Sequence, residues 1–425
     1  MNKIELGKKL FNNVFVFIAV FLILSTAANL FYLDKNTSGN PGSKGWDGYP
    51  DFRVFWRAAG NFNRFFLDSQ KNDILQYPIY NRNSKFYHFR YSPTIALFMV
   101  PFGKIPYPKS ALFWWSLLST LALLAAFLLM RRLIFRDFDL SDTKRSIVLW
   151  GTSLATLRYY LMILGQGQTD AIIAFFWVLF LVAYLKNNEI ACGIMIALII
   201  QIKPFFLPVL LYFLLRGKIK LIISTVIAFA GFLLLPCIAI GWDATIALLG
   251  EWKEILSMSI PSQLFNFKNQ SVPSVTGALL LKNGAIRGLI APQNLIYSIS
   301  AMLTLCTYAM VIWISKISGA KNGNKCKYFE VSALVMASLV FSPIAWEAYF
   351  VNLLIPFAFT ALLILQSNKR NALYAALAVY FVLSCVVGTD ITKFIPGVNS
   401  FHFINISLGT IALAFAMMRS YRQTS

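Results

Sequence analysis

Acidic residues are scarce in this chain, which has only 17 Asp and Glu among its 425 residues. Charged residues of both signs make up 13% of the sequence, whereas hydrophobic residues make up 58% and the mean hydropathy is +0.65. This composition excludes a soluble domain with a polar surface and is typical of a polytopic membrane protein. With so few carboxylates, each one near a membrane surface can be considered individually as a candidate functional group.

Histidine and cysteine are also rare, at two and five residues. The cysteines follow no disulfide or metal-binding spacing, so we expect them to be packing residues in apolar runs and in one basic loop. Likewise, no cluster of Asp, Glu and His has the spacing of metal ligands. The sequence therefore indicates no cofactor.

Long apolar runs dominate what is present. Each run of about 18 to 23 residues could cross a hydrocarbon core about 30 Å thick as a helix, and such continuity favours helices over a barrel. The first run follows basic residues but exceeds the hydrophobic region of a usual signal peptide, so we interpret it as a retained anchor. We predict one all-α integral membrane domain, 1–425, with about 12 membrane segments, at 11–33, 109–131, 147–164, 169–186, 190–202, 204–216, 219–241, 294–316, 328–345, 347–366, 371–388 and 402–419.

The net charge of +21 comes from basic loops between these runs. No aromatic and basic nucleic-acid module accompanies the charge, so it indicates positive-inside topology and contact with anionic lipid. We expect both termini to be cytoplasmic, in the cell (cytoplasmic) membrane. The loops expected on the cytoplasmic side are 131–145, 186–188, 216–220, 316–327, 369–370 and 419–422.

The segment 190–216 needs a break for this topology to hold. Its centre is Lys203-Pro204, and proline interrupts a helix while lysine is costly in mid-membrane. We therefore predict two short helices with Lys203 at an outward-facing turn. The alternative is one kinked helix with Lys203 snorkelling to the surface.

Two long segments remain outside, 34–108 and 242–293. In the first loop, Phe52, Phe55, Trp56 and Ala59 follow the spacing of an amphipathic helix that would lie at the interface and begin at Asp51. The Asp51 carboxylate either caps this helix or is catalytic. Farther along, the apolar piece 94–100 is too short to span and suits a re-entrant or interfacial segment.

Other polar groups lie at external turns, each with a plain alternative role. His88 and Arg90 precede the short apolar piece, where headgroup anchoring is the alternative. Gln168 and Asp170 lie between two helices and could cap the second. Further polar groups fall in 266–271 and 342–349, where the aromatic residues could instead belong to an interfacial belt. All these turns share one predicted face of the membrane.

Six motifs follow one another along the chain: Asp51-Phe-Arg-Val-Phe-Trp-Arg-Ala-Ala, Tyr91-Ser-Pro with Pro101-Phe, Gly-Gln in the turn 165–168, Lys203-Pro204, Asn269-Gln-Ser271, and Ser342-Pro-x-x-Trp346-Glu-x-Tyr349. In this order they resemble glycosyltransferase family 87 over nearly the whole chain. That family includes polyprenol-phosphate-mannose-dependent α-1,2-mannosyltransferases and belongs to the C-type glycosyltransferase superfamily.

The resemblance implies a C-type glycosyltransferase fold and an active site on the external face. It implies transfer of a hexose, in the first place mannose, from a polyprenyl-phosphate donor to a hydroxyl of a glycan or glycolipid, with inversion. Asp51 matches the family's essential Asp. One position departs from the pattern: many relatives carry a His where this chain has Ala348, so that imidazole's role is absent or is taken by His88, His402 or a lysine.

The chemistry makes its own demands, because inversion needs one carboxylate to accept the acceptor's proton, and the leaving phosphate needs cationic partners. Asp51 is the predicted base, and Glu347 is its rival or auxiliary. A divalent ion shared by Asp51, Asp170 and the donor phosphate is an alternative. The candidate phosphate-binding residues are Arg57, His88, Arg90, Lys203 and Lys268. The candidate substrate-binding residues are Tyr91, Gln166, Gln168, Asp170, Asn269, Gln270, Trp346 and Tyr349.

Two other functions share these features. A transporter or flippase of lipid-linked sugars also has intramembrane charge and broken helices, but its polar groups lie near the midplane and often in two related halves. Here the polar motifs lie at helix ends on one side, without a repeat. A ligase or polymerase of lipid-linked glycans differs mainly in using a diphosphate donor.

Overall fold

The computed structural model describes residues 5, 12–37, 50–67, 79–80, 89–106, 109–264, 269–274, 276, 292–366, 370–386 and 405–424. All regular secondary structure in these ranges is helical. The α-helices are α1 (Val14–Thr37), α2 (Pro50–Leu67), α3 (Pro93–Phe98), α4 (Val100–Gly103), α5 (Lys109–Asp137), α6 (Asp142–Gln166), α7 (Asp170–Leu185), α8 (Glu189–Ile202), α9 (Val209–Leu215), α10 (Ile219–Leu234), α11 (Pro236–Ile240), α12 (Trp242–Leu264), α13 (Pro292–Val340), α14 (Leu354–Gln366), α15 (Asn371–Phe381) and α16 (Asn405–Thr424).

Within the described ranges, six helical stretches are long and apolar enough to cross a membrane: Val14–Asp34, Lys109–Asp137, Asp142–Gln166, Ile219–Ile240, Asn294–Ile317 and Glu347–Gln366. Four apolar stretches are shorter, namely Asp170–Leu185, Glu189–Ile202, Pro204–Leu215 and Asn371–Cys385. The predicted all-helical membrane architecture is therefore confirmed. These six are candidate spans by length and composition within the described residues, and they do not confirm the predicted count of about 12.

The chain breaks between α8 and α9 at the predicted position. α8 ends at Ile202, Lys203 is extended (φ −137°, ψ 93°), and Pro204–Phe206 forms a 3₁₀ turn. Proline cannot donate a backbone hydrogen bond and disfavours helical geometry in the residue before it. The prediction of two short helices is confirmed, and the alternative of one kinked helix is wrong.

The basic stretch 316–327 differs from the predicted loop. Helical winding continues through it, and α13 is two helices that meet at Gly323, whose backbone (φ 43°, ψ −114°) is non-helical. Charge density alone suggested a loop, but the change of direction needs only one residue with positive φ, which glycine adopts without steric cost.

α2 is the predicted amphipathic helix, and its apolar face is buried. Phe52, Phe55 and Ala59 are at most 1% exposed, whereas Arg57 on another face is exposed. The buried face packs within this chain, against the short helices α3 and α4 and against α5 through Phe52 and Trp115 (ring centroids 5.6 Å apart). These protein contacts, and not only a membrane interface, account for the amphipathic pattern.

Polar groups collect at both ends of α7, which at 1.5 Å per residue is about 24 Å long. At its Leu185 end, Glu330 pairs with Arg216 at 2.9 Å, Glu189 pairs with Lys218 at 3.0 Å, and Asp137 accepts from Tyr328 at 3.0 Å. We call this group the far cluster. Asp137 lies in the loop 131–145 that was expected on the cytoplasmic side, and Glu189 and Glu330 follow closely after the expected cytoplasmic loops 186–188 and 316–327. The opposite end of α7, at Asp170, carries the candidate site.

Candidate functional site

Asp51 lies in the first turn of α2, behind Pro50 at the first helical position. Proline suits that position because it has no N–H to satisfy, and a carboxylate there interacts favourably with the helix dipole. The side chain is half-buried. The Gln168 amide, from the turn between α6 and α7, donates to Asp51 Oδ2. Two motifs 117 residues apart in the sequence thus meet in one hydrogen bond.

The turn carrying Gln168 reaches α2 because residue 167 is glycine. Gly167 ends α6 in a left-handed conformation (φ 68°, ψ 37°), and its N–H donates to Ile163 O at 2.8 Å. A Cβ at this position would lie 2.4 Å from Phe52 Cβ. The indole N–H of Trp115 donates to Gly167 O at 3.0 Å. A left-handed glycine cap and a tryptophan therefore hold the turn against the helix that bears Asp51.

Asp170 and Lys203 form a buried ion pair beside this turn. The Lys203 ammonium lies 2.7 Å from both carboxylate oxygens, and the two side chains are 0% (Asp170) and 3% (Lys203) exposed. Asn352 also donates to Asp170, at 3.3 Å. The Lys203 Nζ sits 2.9 Å from the ring centroid of Tyr349. The turn at Lys203-Pro204 thus places a cation in the interior, where it is fully engaged.

Arg90 and Tyr91 reach the site from the segment before α3. Trp252 donates to Arg90 O at 2.9 Å, and Tyr80 donates to Tyr91 O at 2.8 Å. The Tyr91 ring packs on Phe55, with centroids 4.4 Å apart. Arg90 Nε is buried and has no hydrogen-bond partner within the part of the chain that is described. The Nε–H of Arg90 is therefore a donor that a ligand could use.

The surroundings of the Asp51 carboxyl shift its pKa toward neutral pH. Burial raises the pKa of Asp51, the positive charges of Lys203 and Arg90 and the Gln168 hydrogen bond lower it, and the Asp170 charge raises it, to give a value of about 6. A group with this pKa is ionised at pH 7 and still accepts a proton readily, which is what general-base catalysis requires.

Glu347, the rival carboxylate, is already paired. It begins the 3₁₀ helix Glu347–Leu353, and its Oε2 lies 2.9 Å from Arg158 of α6. Arg158 was not among the predicted site residues. Its position inside an apolar helix was the available signal, since an intramembrane arginine is costly and needs a partner. Trp346, the residue before the 3₁₀ helix, is half-buried.

Asn269 and Gln270 hold the loop 342–346 in place. Asn269 Oδ1 accepts from the Ala345 N–H at 2.9 Å, Asn269 Nδ2 donates to Pro343 O at 2.8 Å, and the Gln270 N–H donates to Ala345 O at 2.7 Å. Asn269 and Gln270 are 0% and 1% exposed. These contacts support the loop that leads into the 3₁₀ helix Glu347–Leu353.

The structure brings together seven of the predicted site residues: Asp51, Arg90, Tyr91, Gln168, Asp170, Lys203 and Tyr349. Gln166 is half-buried at the end of α6, and Arg57 is exposed on another face of α2. His88, Lys268 and His402 lie outside the described residues. Within the described residues, no group of three or more His, Cys, Asp or Glu is placed to hold a metal ion.

Comparison with known proteins settles the relationship of the chain. The family model for glycosyltransferase family 87 matches residues 89–343, which is more than half of the sequence. This chain belongs to glycosyltransferase family 87. The matched range includes Arg90, Gln168 and Lys203, while Asp51 and Tyr349 lie outside it.

Two curated relatives are similar over a longer range. Both are named Alpha-(1->3)-arabinofuranosyltransferase, from two strains of Mycobacterium tuberculosis, and each is 22% identical over 323 residues. The similarity covers 74% of this chain and 66% of each relative, so the match spans just under two thirds of their length. No solved structure matches the chain.

Proposed function

We propose that the chain is a membrane glycosyltransferase that moves a sugar from a polyprenyl-phosphate donor to a hydroxyl of a glycan or glycolipid, with inversion. The observation that supports it best is the presence of two groups in one site. Asp51 has a pKa of about 6 and feels the charge of Arg90, and the Nε of Arg90 is buried without a partner within the described residues. One accepts a proton and the other can bind a phosphate oxygen, which are the two tasks of this reaction.

In this reaction the acceptor oxygen bonds to the anomeric carbon as the bond from that carbon to the phosphate oxygen breaks. The ionised Asp51 carboxylate accepts the hydroxyl proton, so the acceptor attacks as an incipient alkoxide. The bonding electrons leave with the polyprenyl phosphate, whose growing negative charge the Arg90 guanidinium stabilises by its positive charge and by hydrogen bonding through Nε–H. A single displacement from the opposite face inverts the anomeric carbon.

The sugar is the least constrained part of the proposal. Family resemblance favours a hexose, with mannose first, whereas the curated relatives are named for arabinofuranose. Both donors therefore belong in the assay. We further propose that the protein resides in the cytoplasmic membrane with both termini cytoplasmic, and that 34–108 and 242–293 are external segments that carry the site on the outer face.

The decisive experiment compares wild type with Asp51→Asn in nanodiscs, using radiolabelled polyprenyl-phosphate mannose or arabinofuranose and a panel of envelope glycans. We expect Asp51→Asn to lower transfer by about 10² to 10⁴-fold, the usual contribution of a general base. The matched control is Asp243→Asn, the same substitution at an exposed carboxylate of α12, which we expect to retain wild-type transfer.

Equal transfer by Asp51→Asn and wild type would exclude Asp51 as the base, and loss of transfer in a parallel Glu347→Gln variant alone would assign that role to Glu347. If wild type transfers neither sugar but moves a lipid-linked sugar across proteoliposomes, the chain is a flippase and the proposed activity is wrong.

A further inference from the structure

We propose that the buried Lys203–Asp170 ion pair is a positioning device for Asp51 and does not bind substrate. The assignment rests on the proposed role of Asp51 as the base. It changes the expected roles of two residues, since Lys203 was a candidate for binding the donor phosphate and Asp170 a candidate for binding substrate.

The pair is already saturated. Lys203 Nζ is 2.7 Å from each Asp170 oxygen, and the face of the Tyr349 ring, 2.9 Å away, takes the remaining side of the ammonium. A lysine has three N–H donors. Two of them are directed at the Asp170 oxygens, which leaves at most one for a phosphate. Drawing Lys203 away would also leave the Asp170 carboxylate, 0% exposed, as an unpaired buried charge, which is strongly unfavourable.

The 3₁₀ helix Glu347–Leu353 closes the enclosure around the pair. In 3₁₀ winding, side chains three residues apart project from the same face, and Tyr349 and Asn352 have this spacing. Tyr349 covers Lys203, while Asn352 donates to Asp170 at 3.3 Å and to Tyr349 O at 2.8 Å. The ring of Tyr349 stacks in turn on Phe205, with centroids 5.4 Å apart. The pair therefore has one defined geometry.

The pair reaches Asp51 through the turn between α6 and α7. Asp170 is two residues after Gln168, whose amide donates to Asp51, so anchoring Asp170 fixes the direction of that amide. A second route is electrostatic, because the charges of Lys203 and Asp170 act on Asp51 with opposite signs. Either route makes the behaviour of Asp51 depend on residues that contact no substrate.

Four other described residues lie around Asp51. Arg90 and Tyr91 come from the segment before α3, Gln168 comes from the turn, and Tyr349 comes from the 3₁₀ helix. Of the helices that contact α2, the short helices α3 and α4 contain no ionisable side chains, whereas α6 carries Arg158, Tyr159 and Tyr160 toward the turn and α11 carries Cys237. Lys203→Met and Asp170→Asn leave all of these groups in place, so a difference in the Asp51 titration reports the charge that was removed.

The test is the titration of Asp51, followed by infrared spectroscopy of the purified full chain and assigned by the carboxyl band that Asp51→Asn removes. Lys203→Met removes a positive charge, so the midpoint should rise by about one pH unit, while Asp170→Asn removes a negative charge, so it should fall. The midpoint of the double variant should lie between the midpoints of the two single variants and above that of wild type, because the charge of Lys203 affects the pKa of Asp51 more than the charge of Asp170 does.

Two controls separate this effect from general damage. Lys203→Arg keeps the charge and should retain the wild-type midpoint. Lys218→Met also removes a lysine from an ion pair, but in the far cluster, and should leave the Asp51 titration unchanged. If a single variant does not fold, the double variant and Lys203→Arg still decide the question.

Shifts in the same direction for both single variants, or no shift in folded protein, would overturn the proposal. So would a Lys203→Met variant that titrates like wild type but no longer binds polyprenyl phosphate in a filter assay, since that result assigns Lys203 to the donor. The titration needs no turnover, so a wild type without transfer activity would refute the proposed function while leaving this test readable. The expected outcome is opposite shifts from the two charges.

Discussion

Among the residues that the structure describes, one amide donor and three charges act together with burial on the protonation of Asp51. Gln168 donates to the ionised carboxylate, which opposes the effect of burial and helps keep the pKa at about 6. For a base that must be ionised, activity is fully present above this pKa and is lost as pH falls through it. We therefore expect the acid limb of the transfer rate to lie near pH 6.

Replacing Gln168 with Met should move the acid limb of the transfer rate to higher pH. Losing a hydrogen bond to the charged form raises the carboxyl pKa, by about one unit if the bond is worth about 1.4 kcal/mol. Transfer by Gln168→Met, measured from pH 5 to 9, should therefore fall most below pH 7 and recover toward pH 8.

The matched control is Gln366→Met at the exposed end of α14, whose pH profile should equal that of wild type. A uniform loss at every pH for Gln168→Met would show that Gln168 binds substrate and does not control Asp51.

At the scale of elements, α8 and α10 form the most extensive helix contact in the described part of the chain, and Gly193 makes it possible. A Cβ there would lie 2.7 Å from Leu221 O and 2.7 Å from Thr225 N. These are backbone atoms of α10 that cannot move independently. Small residues at such positions let membrane helices approach closely, because lipid provides no hydrophobic force to drive them together.

Gly193→Ala should therefore separate these helices and lower the melting temperature in detergent, with a free-energy loss of about 1 to 3 kcal/mol. Gly231→Ala is the matched control, because no atom lies within 4 Å of its added Cβ, and it should be neutral or stabilising, by up to about 1 kcal/mol. Equal melting temperatures for the two variants would show that the α8–α10 contact does not limit stability.

Local patterns predicted some elements well. The spacing of apolar residues predicted α2, and Lys203-Pro204 predicted the break after α8, because both depend on neighbours in the chain. Asp51, Gln168 and Lys203 were likewise singled out. What the sequence did not show is how they pair. Lys203 meets Asp170 and Glu347 meets Arg158 only once distant helices have packed, so their engagement could not be foreseen.

At the scale of the whole molecule, buried charged groups lie in two clusters, one at each end of α7. Helix α7 separates the site around Asp170 from the far cluster by about 24 Å, close to the hydrocarbon thickness of about 30 Å. Arg64 of α2 and Lys186 after α7 are both exposed, so they can report on the two ends. The predicted topology puts them on opposite sides of the membrane.

In a variant with the five native cysteines replaced, we expect Arg64→Cys to react with an impermeant maleimide in intact cells. Lys186→Cys should react only after the cells are opened. Labelling of both positions from outside would contradict the topology, whereas the reverse pattern would place the site on the cytoplasmic face. Denatured samples of each variant, labelled to completion, supply the reference.

The two tryptophans that donate hydrogen bonds to the backbone of the site could also report on it by fluorescence. Trp115 donates to Gly167 O and Trp252 to Arg90 O, so each indole is bonded to a backbone segment that carries a site residue. Indole emission depends on that bond and on nearby carbonyl quenchers. A ligand that shifts either segment would change the fluorescence of that tryptophan. The chain has ten tryptophans, so subtracting the spectrum of Trp115→Phe or Trp252→Phe would give the contribution of the one tryptophan replaced. Ligands could thus be screened without label or known acceptor.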